Sequence, residues 1–353
     1  MNSDKNNRET HLERESPEYV KLSLAAAMQL GYSPARFHRA AQMTCINLLL
    51  TYSAGCAGNC SYCGLARERL SDGDPSFIRV PWPIVEFTNA VGRIAANRVV
   101  KRVCISMVTH ARSVQDSITM ARSLRGNTDK PVSALIAPTL VNEKDLAQLK
   151  DCGVDKIGIA FDLPTESLFE THRGSGVRGP HRWKKYWQLF ESAVALFGEG
   201  NVGSHFIVGL GETEREMVEA FQRVRDLGGV NHLFSFYPEP GSTLTEKTPP
   251  AIQIYRRMQI ACELIDADRS RANCFRFDDQ DRVVDFGVSA DELETLIQSG
   301  VPFRTRGCVG HDGAVACNRP YANSSPAEGI RNYPFQPNEE DLLLIRKELS
   351  GAA

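Results

Sequence analysis

Short apolar runs alternate with longer amphipathic stretches along most of this 353-residue chain. We predict buried strands at 46–51, 102–108, 132–138, 156–161, 202–208, 233–237, 274–277 and 302–306. The spacing of apolar residues between these runs predicts helices at 84–97, 113–124, 143–151, 182–197, 214–227, 252–265 and 290–299. Strands that alternate with helices form parallel sheets. The sequence therefore predicts an α/β fold, a (β/α)8 TIM-type barrel, with a partial (β/α)6 barrel and a trailing extension as the alternative.

The two ends of the chain differ from this alternating segment. Residues 1–41 begin with a polar lead-in, and helical spacing of apolar residues from 17 onward predicts an N-terminal helical cap. We expect the barrel to cover 42–307 and a C-terminal extension to cover 308–353. The extension is predicted to end in a helix at 338–349.

Composition and charge narrow the class of protein. Apolar residues make up 42% and charged residues 24% of the chain, as in ordinary globular proteins. A formal net charge of -2 argues against a nucleic-acid or membrane-surface partner, and no apolar run approaches the ~20 residues of a membrane span. Ten cysteines without a secretory signal indicate a reducing, cytoplasmic location and metal chemistry rather than disulfides.

Three cysteines stand close together just after the first predicted strand. Cys56, Cys60 and Cys63 follow C-x3-C-x2-C spacing. Thiolate is a soft ligand and holds iron–sulfur clusters. Three ligands leave one iron of a four-iron cluster without a protein ligand, and an open metal position is where a small molecule binds. A zinc knuckle or a disulfide framework is the alternative, but the loop lacks the fourth Cys or His that zinc sites usually have.

The motif resembles the signature of the radical S-adenosylmethionine (SAM) superfamily. The resemblance implies that the three cysteines hold a 4Fe–4S cluster whose fourth iron binds the amine and carboxylate of SAM. One-electron reduction, by a donor such as ferredoxin or flavodoxin, would cleave SAM to methionine and a 5′-deoxyadenosyl radical. That radical abstracts hydrogen from an unactivated carbon. Tyr62, between the last two cysteines, would pack near the adenine.

A glycine-rich segment ends the predicted strand at 202–208. Glycines there allow the backbone to approach a ligand, and Glu212 can accept hydrogen bonds. Alone, this pattern favours a tight turn with Glu212 near a helix N-terminus. Beside the cysteine motif, it resembles a segment that supports the SAM adenine in radical SAM barrels. The resemblance implies that Ile207, Gly209 and Glu212 contact SAM.

Two further charged residues are candidates for binding SAM. Asp162 ends a predicted strand, where its carboxylate could bind the SAM ribose or amine, although an Asp before Pro164 is also typical of a helix start. Arg178 could pair with the methionyl carboxylate through its forked donors. A solvated loop arginine is the alternative for Arg178, and Arg173 competes for the role.

The remaining cysteines divide into two groups. Buried free cysteine commonly serves as a small hydrophobe, and we assign this structural role to Cys45, Cys152, Cys262 and Cys274. We expect thiols near the barrel axis and its mouth to hold a second cluster, and the candidates are Cys104, Cys308 and Cys317. Three unrelated buried thiols are the alternative.

From about residue 36 to 348 the layout resembles the biotin-synthase branch of the superfamily. Cys104 resembles the auxiliary-cluster cysteine on the second strand of biotin synthase, and Arg276 resembles an arginine that touches that cluster. Biotin synthase takes further auxiliary ligands from two strands that contain no cysteine here, at 132–139 and 202–208. A biotin-type 2Fe–2S site therefore lacks its ligands.

The C-terminal Cys317-Asn-Arg-Pro loop resembles instead the biotin-synthase-like lipoyl synthases. These act as a two-protein pair in which each protein adds one sulfur to an octanoyl chain. The single-protein lipoyl synthase is a poorer match, because its N-terminal C-x4-C-x5-C run is absent here.

The resemblance thus implies a radical SAM sulfurtransferase that carries an auxiliary 4Fe–4S cluster and acts in lipoyl cofactor biosynthesis. Its substrate would be an octanoyl group on a lipoyl carrier protein or domain, and its partner the second lipoyl synthase protein. The alternatives are biotin synthase, a single-cluster radical SAM mutase or maturase, and, from another class, a non-enzymatic iron–sulfur carrier. The sequence leaves the fourth auxiliary ligand open between Arg276, Ser106 and a small molecule.

Overall fold

An eight-stranded sheet runs through the chain in the computed structural model, which describes residues 14–39, 41–70, 77–320 and 329–351. Its strands are β1 (Tyr19–Leu22), β2 (Cys45–Leu50), β3 (Ile84–Glu86), β4 (Arg102–Ser106), β5 (Val132–Ile136), β6 (Val154–Asp162), β7 (Val202–Val208) and β8 (Val230–Ser235). The strand order is β3-β1-β2-β4-β5-β6-β7-β8. Neighbours from β2 to β8 in this order pair in parallel, whereas β1 is antiparallel to both β2 and β3.

Helices lie in each crossover between the parallel strands, and others precede or follow those strands. They are α1 (Leu24–Gln29), α2 (Phe87–Ala96), α3 (Ser113–Asn127), α4 (Glu143–Asp151), α5 (Glu166–His172), α6 (Trp183–Phe197), α7 (Glu214–Asp226), α8 (Ile252–Asp266), α9 (Ala290–Ser299) and α10 (Glu339–Ser350). The predicted α/β class is confirmed. Of the two barrels predicted, the arrangement with six parallel strands is the one observed.

The last two predicted strands are absent from the parallel sheet. Residues 276–277 form β9 (Arg276–Phe277), which pairs antiparallel with β10 (Val283–Asp285) in a separate two-stranded sheet. The segment around Pro302 forms a short 3-10 turn, Val301–Phe303. Proline lacks the N–H that a central strand donates to its neighbour, so this apolar run cannot continue the sheet.

The predicted N-terminal helical cap is also different in the structure. Val20 and Leu22 are buried and alternate with half-buried neighbours, which is the two-residue period of a strand. Helix α1 is short, and its first turn is capped by Ser23, whose side chain accepts a hydrogen bond from the Ala26 N–H. The pattern of apolar residues from Leu22 to Leu30 spans both elements, so the strand could not be distinguished from the helix that follows it.

Aromatic packing fixes α6 against the sheet. The ring of Phe161 on β6 lies 4.2 Å from that of Trp187 and 5.8 Å from that of Phe190, centroid to centroid. Phe161 is fully buried, as are Tyr186 and Phe190. Aromatic pairs at such distances stabilise beyond their buried area. This packing holds the C-terminal end of β6, where Asp162 stands, in one position.

The segment after the 3-10 turn lies against the N-terminal ends of β2 and β4. Arg102, the first residue of β4, donates from Nε to the carbonyl oxygen of Val309 (2.6 Å), and Thr44 donates from its hydroxyl to that of Ala316 (2.5 Å). The Asn318 side chain donates to the Gln42 carbonyl (2.6 Å). These bonds place Cys308 and Cys317 beside the start of the sheet. Within the described part of the chain, no helix has the length and apolar character needed to cross a membrane.

Candidate functional site

The loop that follows β2 presents Cys56, Cys60 and Cys63 at the C-terminal edge of the parallel strands. Backbone N–H groups point at two of the sulfurs. Cys56 Sγ accepts from Gly58 and Thr109, each at 3.3 Å, and Cys63 Sγ accepts from Leu65 at 3.4 Å. Hydrogen bonds of this kind stabilise the thiolate form that binds metal.

The three thiols influence one another electrostatically. Burial and the neighbouring cysteines raise the pKa of Cys60, to about 11, and that of Cys63. A cationic cluster would remove this cost, since a bound metal deprotonates its thiols. No three His, Cys, Asp or Glu side chains in the described ranges converge as the ligands of one ion do. A cluster needs a wider arrangement, because each of its irons takes a single thiolate. The donor set fits a cluster.

A cavity of about 220 Å³ opens beside the three cysteines. Tyr62, Asp162 and Ile207 line it, as does Arg173. The Tyr62 hydroxyl donates to Asp162 Oδ2 (2.6 Å), and the Arg173 guanidinium forms an ion pair with the same oxygen. Arg173 is only 8% exposed and also donates to the Ala160 carbonyl (2.6 Å). These residues form a prebuilt polar wall next to the cluster loop.

The two arginines considered for SAM lie in different surroundings. The Arg178 side chain is 78% exposed and pairs with Glu68, outside the cavity. Arg173 lines the cavity, and the charges of Tyr186, Tyr62 and Asp162 keep its pKa raised despite burial. The geometry therefore favours Arg173 over Arg178.

The glycine-rich segment folds around Glu212. The Glu212 carboxylate accepts from the N–H groups of Gly209 (2.6 Å) and Leu210 (2.9 Å). Burial raises the pKa of Glu212 against these hydrogen bonds. Gly209 has a φ of +109°, and a Cβ there would lie 2.7 Å from the Pro250 ring, so only glycine fits. Glu212 thus holds the turn, while Ile207 faces the cavity.

His181 is a cavity residue that sequence reasoning missed. Its Nδ1 bonds to the hydroxyls of Thr139 (2.7 Å) and Tyr186 (2.9 Å). Its Nε2 lies 3.1 Å from where a Cβ on Gly58 would be. Burial lowers the pKa of His181 to about 2, so the ring is neutral. The Nε2 edge of the neutral ring faces the cluster loop. No motif in the sequence marks this histidine.

A second group of cysteines gathers at the opposite edge of the strands. It comprises Cys45, Cys104, Cys308 and Cys317. Strand pairing aligns Asn47, two residues after Cys45, with Cys104, and the Cys317 N–H donates to the Cys308 carbonyl (3.0 Å). The structure thus brings together all three predicted auxiliary ligands and adds a fourth.

The thiols of this second group alter one another's pKa. Interaction between the buried Cys45 and Cys317 thiols raises the pKa of Cys45 and lowers that of Cys317 to about 6. The charges of Arg319 and Arg102 also lower the pKa of Cys317. Burial and the neighbouring thiols raise the pKa of Cys308 to about 12. Four thiols with two cations nearby form a donor set that fits a second cluster.

Of two sequence expectations about this site, the structural role of Cys45 stays a prediction and the expected place of Arg276 was wrong. Cys45, assigned a structural role, stands within the group, because the first residue of β2 lies beside the loop that carries Cys317. Arg276, expected near an auxiliary cluster, has a side chain that is 76% exposed and pairs with Asp285 on the separate two-stranded sheet. Arg319 occupies the expected place instead and stacks on Phe234 at 3.9 Å.

A second cavity, of about 120 Å³, adjoins Cys104, Cys308 and Cys317. Leu135, His205 and Phe234 line both this cavity and the one beside the cluster loop. The two cavities therefore meet inside the barrel. Together they just exceed the ~300 Å³ at which small-molecule pockets begin.

Comparison with known proteins agrees with this geometry. Residues 50–224, about half of the chain, match the Radical SAM superfamily. Biotin synthase of Rhodopseudomonas palustris (strain BisB18) is 23% identical over 218 residues, covering 60% of this chain and 57% of that protein. The chain therefore aligns with little more than half of that relative.

Solved structures with similar folds are also found. HydG, a maturase of the [FeFe]-hydrogenase, superposes with a TM-score of 0.50 at 13% identity, over 63% of this chain and 50% of that one. Methylornithine synthase (PylB) superposes with a TM-score of 0.48 at 10% identity, over 69% and 66%. At these identities the HydG match reports on the fold alone.

Proposed function

Because this chain is a radical SAM enzyme of the biotin-synthase-like branch, we propose that it inserts sulfur into an unactivated C–H bond. The proposed substrate is a protein-bound octanoyl chain, in the biosynthesis of the lipoyl cofactor. One observation carries the proposal: Cys104, Cys308 and Cys317 line an interior cavity with Cys45 beside them, at the opposite edge of the strands from the cluster loop. A radical initiator and a sulfur donor on two sides of one channel are what such an insertion requires.

The two cysteine groups are held apart by a strand. Cys45 is the first residue of β2, and the cluster loop begins after Leu50. At ~3.3 Å per residue, the five steps from Cys45 to Leu50 span about 17 Å along the strand, and Asn47, the register partner of Cys104, lies about 10 Å from Leu50. A cluster held by Cys56, Cys60 and Cys63 would supply, with SAM, the electron chemistry that activates carbon, and a cluster held by the other four cysteines would supply sulfide.

The residues of this chain set the conditions for that chemistry. Arg102 and Arg319 lower the pKa of Cys317, so a thiolate is available at neutral pH. Arg102 is fixed by two hydrogen bonds to Asp155, at 2.5 and 2.7 Å. On the other side, the wall of Tyr62, Asp162 and Arg173 presents fixed dipoles and charges to SAM.

The shared part of the cavity suits an uncharged, slender substrate. Leu135, Ile78 and Phe234 line both cavities. His205 lies between them, and burial lowers its pKa well below the ordinary value, so it carries no charge. Burying a charged amino acid there would cost several kcal/mol without a partner. These walls favour an acyl chain over the amino-acid substrate of a mutase.

The proposed partners follow from the same resemblance. They are an octanoylated lipoyl carrier protein or domain, a second lipoyl synthase protein and an electron donor such as ferredoxin or flavodoxin. The Cys317-Asn-Arg-Pro loop supports them, since it provides one of the four thiols. A cytoplasmic location stays a prediction.

Biotin synthase is the second candidate, because the curated relative with 23% identity has that activity. The two candidates differ in the auxiliary cluster. Four cysteine ligands suit a 4Fe–4S cluster as well as a 2Fe–2S cluster. The cluster type therefore separates sulfur insertion of the lipoyl kind from the biotin kind.

The test is anaerobic iron and sulfide analysis with Mössbauer spectroscopy on the Cys56→Ala/Cys60→Ala/Cys63→Ala chain. We expect a remaining 4Fe–4S signal that disappears when Cys308→Ala is added and persists when Cys152→Ala is added instead. A remaining 2Fe–2S signal would move the assignment to biotin synthase. No remaining iron would refute the sulfur-donor mechanism and leave a single-cluster radical SAM enzyme.

A further inference from the structure

A third cavity lies at the N-terminal ends of β6, β7 and β8, on the face of the barrel away from the cluster loop. Its volume is about 320 Å³. Cys308 and Gly307 line it, and both residues also line the inner cavity beside the cysteine group. A single layer of chain therefore separates this outer cavity from the proposed auxiliary site.

The outer cavity is polar, unlike the inner one. Among the residues that line it, five are charged: Lys156, Glu263, Asp266, Arg304 and Arg306. Arg319 is the sole Asp, Glu, Lys or Arg among the described residues that line the inner cavity. Moving an ion through apolar walls is costly, whereas charged walls replace part of its hydration. Small ions would thus reach the cysteine group from the outer side.

Polar side chains of the outer cavity lie on the same wall as Cys308. Lys156 is half-buried, and its Nζ donates to Asn201 Oδ1 (2.6 Å) and the Gly200 carbonyl (3.0 Å). Burial lowers the pKa of Lys156, and Lys156 and Cys308 line the same cavity. Thr305 also lines the cavity, and its buried Oγ1 has no hydrogen-bond partner among the described residues.

We propose that this outer cavity is the entrance through which ferrous iron and hydrosulfide reach Cys45, Cys104, Cys308 and Cys317. The inference rests on the proposed second cluster. It also separates two routes: the acyl substrate uses the apolar inner cavity, and the inorganic ions use the polar outer one. Sulfur lost to substrate is then replaceable without the ions crossing the substrate channel.

Two exposed valines at the outer cavity offer a test that leaves the cysteines untouched. Val301 is 40% exposed and Val315 is 38% exposed, and both line the outer cavity. The probe is Co2+ added to the metal-free Cys56→Ala/Cys60→Ala/Cys63→Ala chain, in which the charge-transfer band between cobalt and several thiolates reports arrival at the group of four thiols formed by Cys45, Cys104, Cys308 and Cys317. The rate of appearance of this band is the measured quantity.

Charge and bulk are varied separately at these valines. In Val301→Trp/Val315→Trp we expect the rate to fall about tenfold. In Val301→Glu/Val315→Glu it should rise severalfold at low salt, and in Val301→Lys/Val315→Lys it should fall, because local charge attracts or repels the cation. Both charge effects should vanish near 1 M salt, where the Debye length is ~3 Å. Val284→Trp, 61% exposed and outside this cavity, is the matched control for bulk.

The outcomes distinguish failure of the proposed entrance from failure of the proposed sulfur-donor function. Equal rates in all these variants would overturn the proposed entrance, and a mere loss of folding would not reverse sign between the Glu and Lys pairs. The same parent chain is also reconstituted with iron and sulfide. If it builds no cluster while Co2+ entry keeps the expected pattern, the sulfur-donor function fails and the entrance stands.

Discussion

The two cysteine groups of this protein are assembled in opposite ways. Cys56, Cys60 and Cys63 lie within one loop after β2. The other four come from the first residue of β2, the middle of β4 and two points of the C-terminal segment. A site within one loop needs mainly local folding, whereas the distributed site exists only when the sheet and the C-terminal segment are both in place. This difference in assembly predicts which substitutions abolish metal binding at each site.

Loss of a loop cysteine should have the largest effect. We expect Cys60→Ala to reduce 5′-deoxyadenosine formation from SAM to background under reducing, anaerobic conditions, because the cluster would lose one of its three cysteine ligands. Cys274→Ala, at an exposed cysteine, is the control and should retain the parent rate. Retained SAM cleavage in Cys60→Ala would contradict the assignment of the loop.

Removal of Cys45 should affect only the distributed site. In Cys45→Ser we expect loss of the auxiliary cluster, about four iron atoms per chain, with SAM cleavage reduced less than twofold. Cys152→Ser replaces an equally buried cysteine outside the group and should keep all its iron. Iron analysis and 5′-deoxyadenosine assays on both variants decide the matter. Unchanged iron in Cys45→Ser would return Cys45 to its predicted structural role.

Stability should distinguish the two arginines near the cluster loop. Arg173→Met leaves the Asp162 carboxylate buried without its partner, which costs about 3–5 kcal/mol of unfolding free energy. Arg178→Met breaks an exposed pair with Glu68, which costs at most about 1 kcal/mol. Urea unfolding of the metal-free chains measures both values. Similar losses in the two variants would remove the basis for preferring Arg173.

The smallest expected effect is a difference in labelling rate between two thiols of the distributed site. In the metal-free chain, Cys317 becomes a thiolate as the pH rises through about 6, whereas Cys308 stays protonated until about 12. We expect iodoacetamide to label Cys317 at least about 100-fold faster than Cys308 at pH 7. Peptide mass spectrometry measures this ratio.

A variant at Cys45 tests whether this thiol sets the acidity of Cys317. Cys45→Ala removes the S–H that stabilises the Cys317 thiolate, so the midpoint for Cys317 labelling should move to higher pH. Cys152→Ala should leave it in place. A midpoint indifferent to Cys45 would mean that the arginines alone set the acidity of Cys317.

The same contrast explains what the sequence could predict. The cysteine loop could be predicted because its three cysteines lie within thirteen residues, from Tyr52 to Gly64. Six of the eight predicted strands form the parallel sheet. The position of Cys45 beside the other thiols was missed because an isolated buried cysteine carries no signal until its neighbours are known. Arg276 was misplaced because residues 274–277 join a separate hairpin, and His181 gave no signal because its partners lie on other elements.

Strand β2 belongs to both cysteine groups, and this has an evolutionary consequence. Inserting or deleting one residue in it would turn Cys45 or Asn47 to the other face of the sheet, since side chains alternate with a period of two. The same change would shift the start of the cluster loop. Length variation among descendants of this gene should therefore accumulate in the crossovers, while the count of residues from Cys45 to Cys56 remains fixed through lineage after lineage.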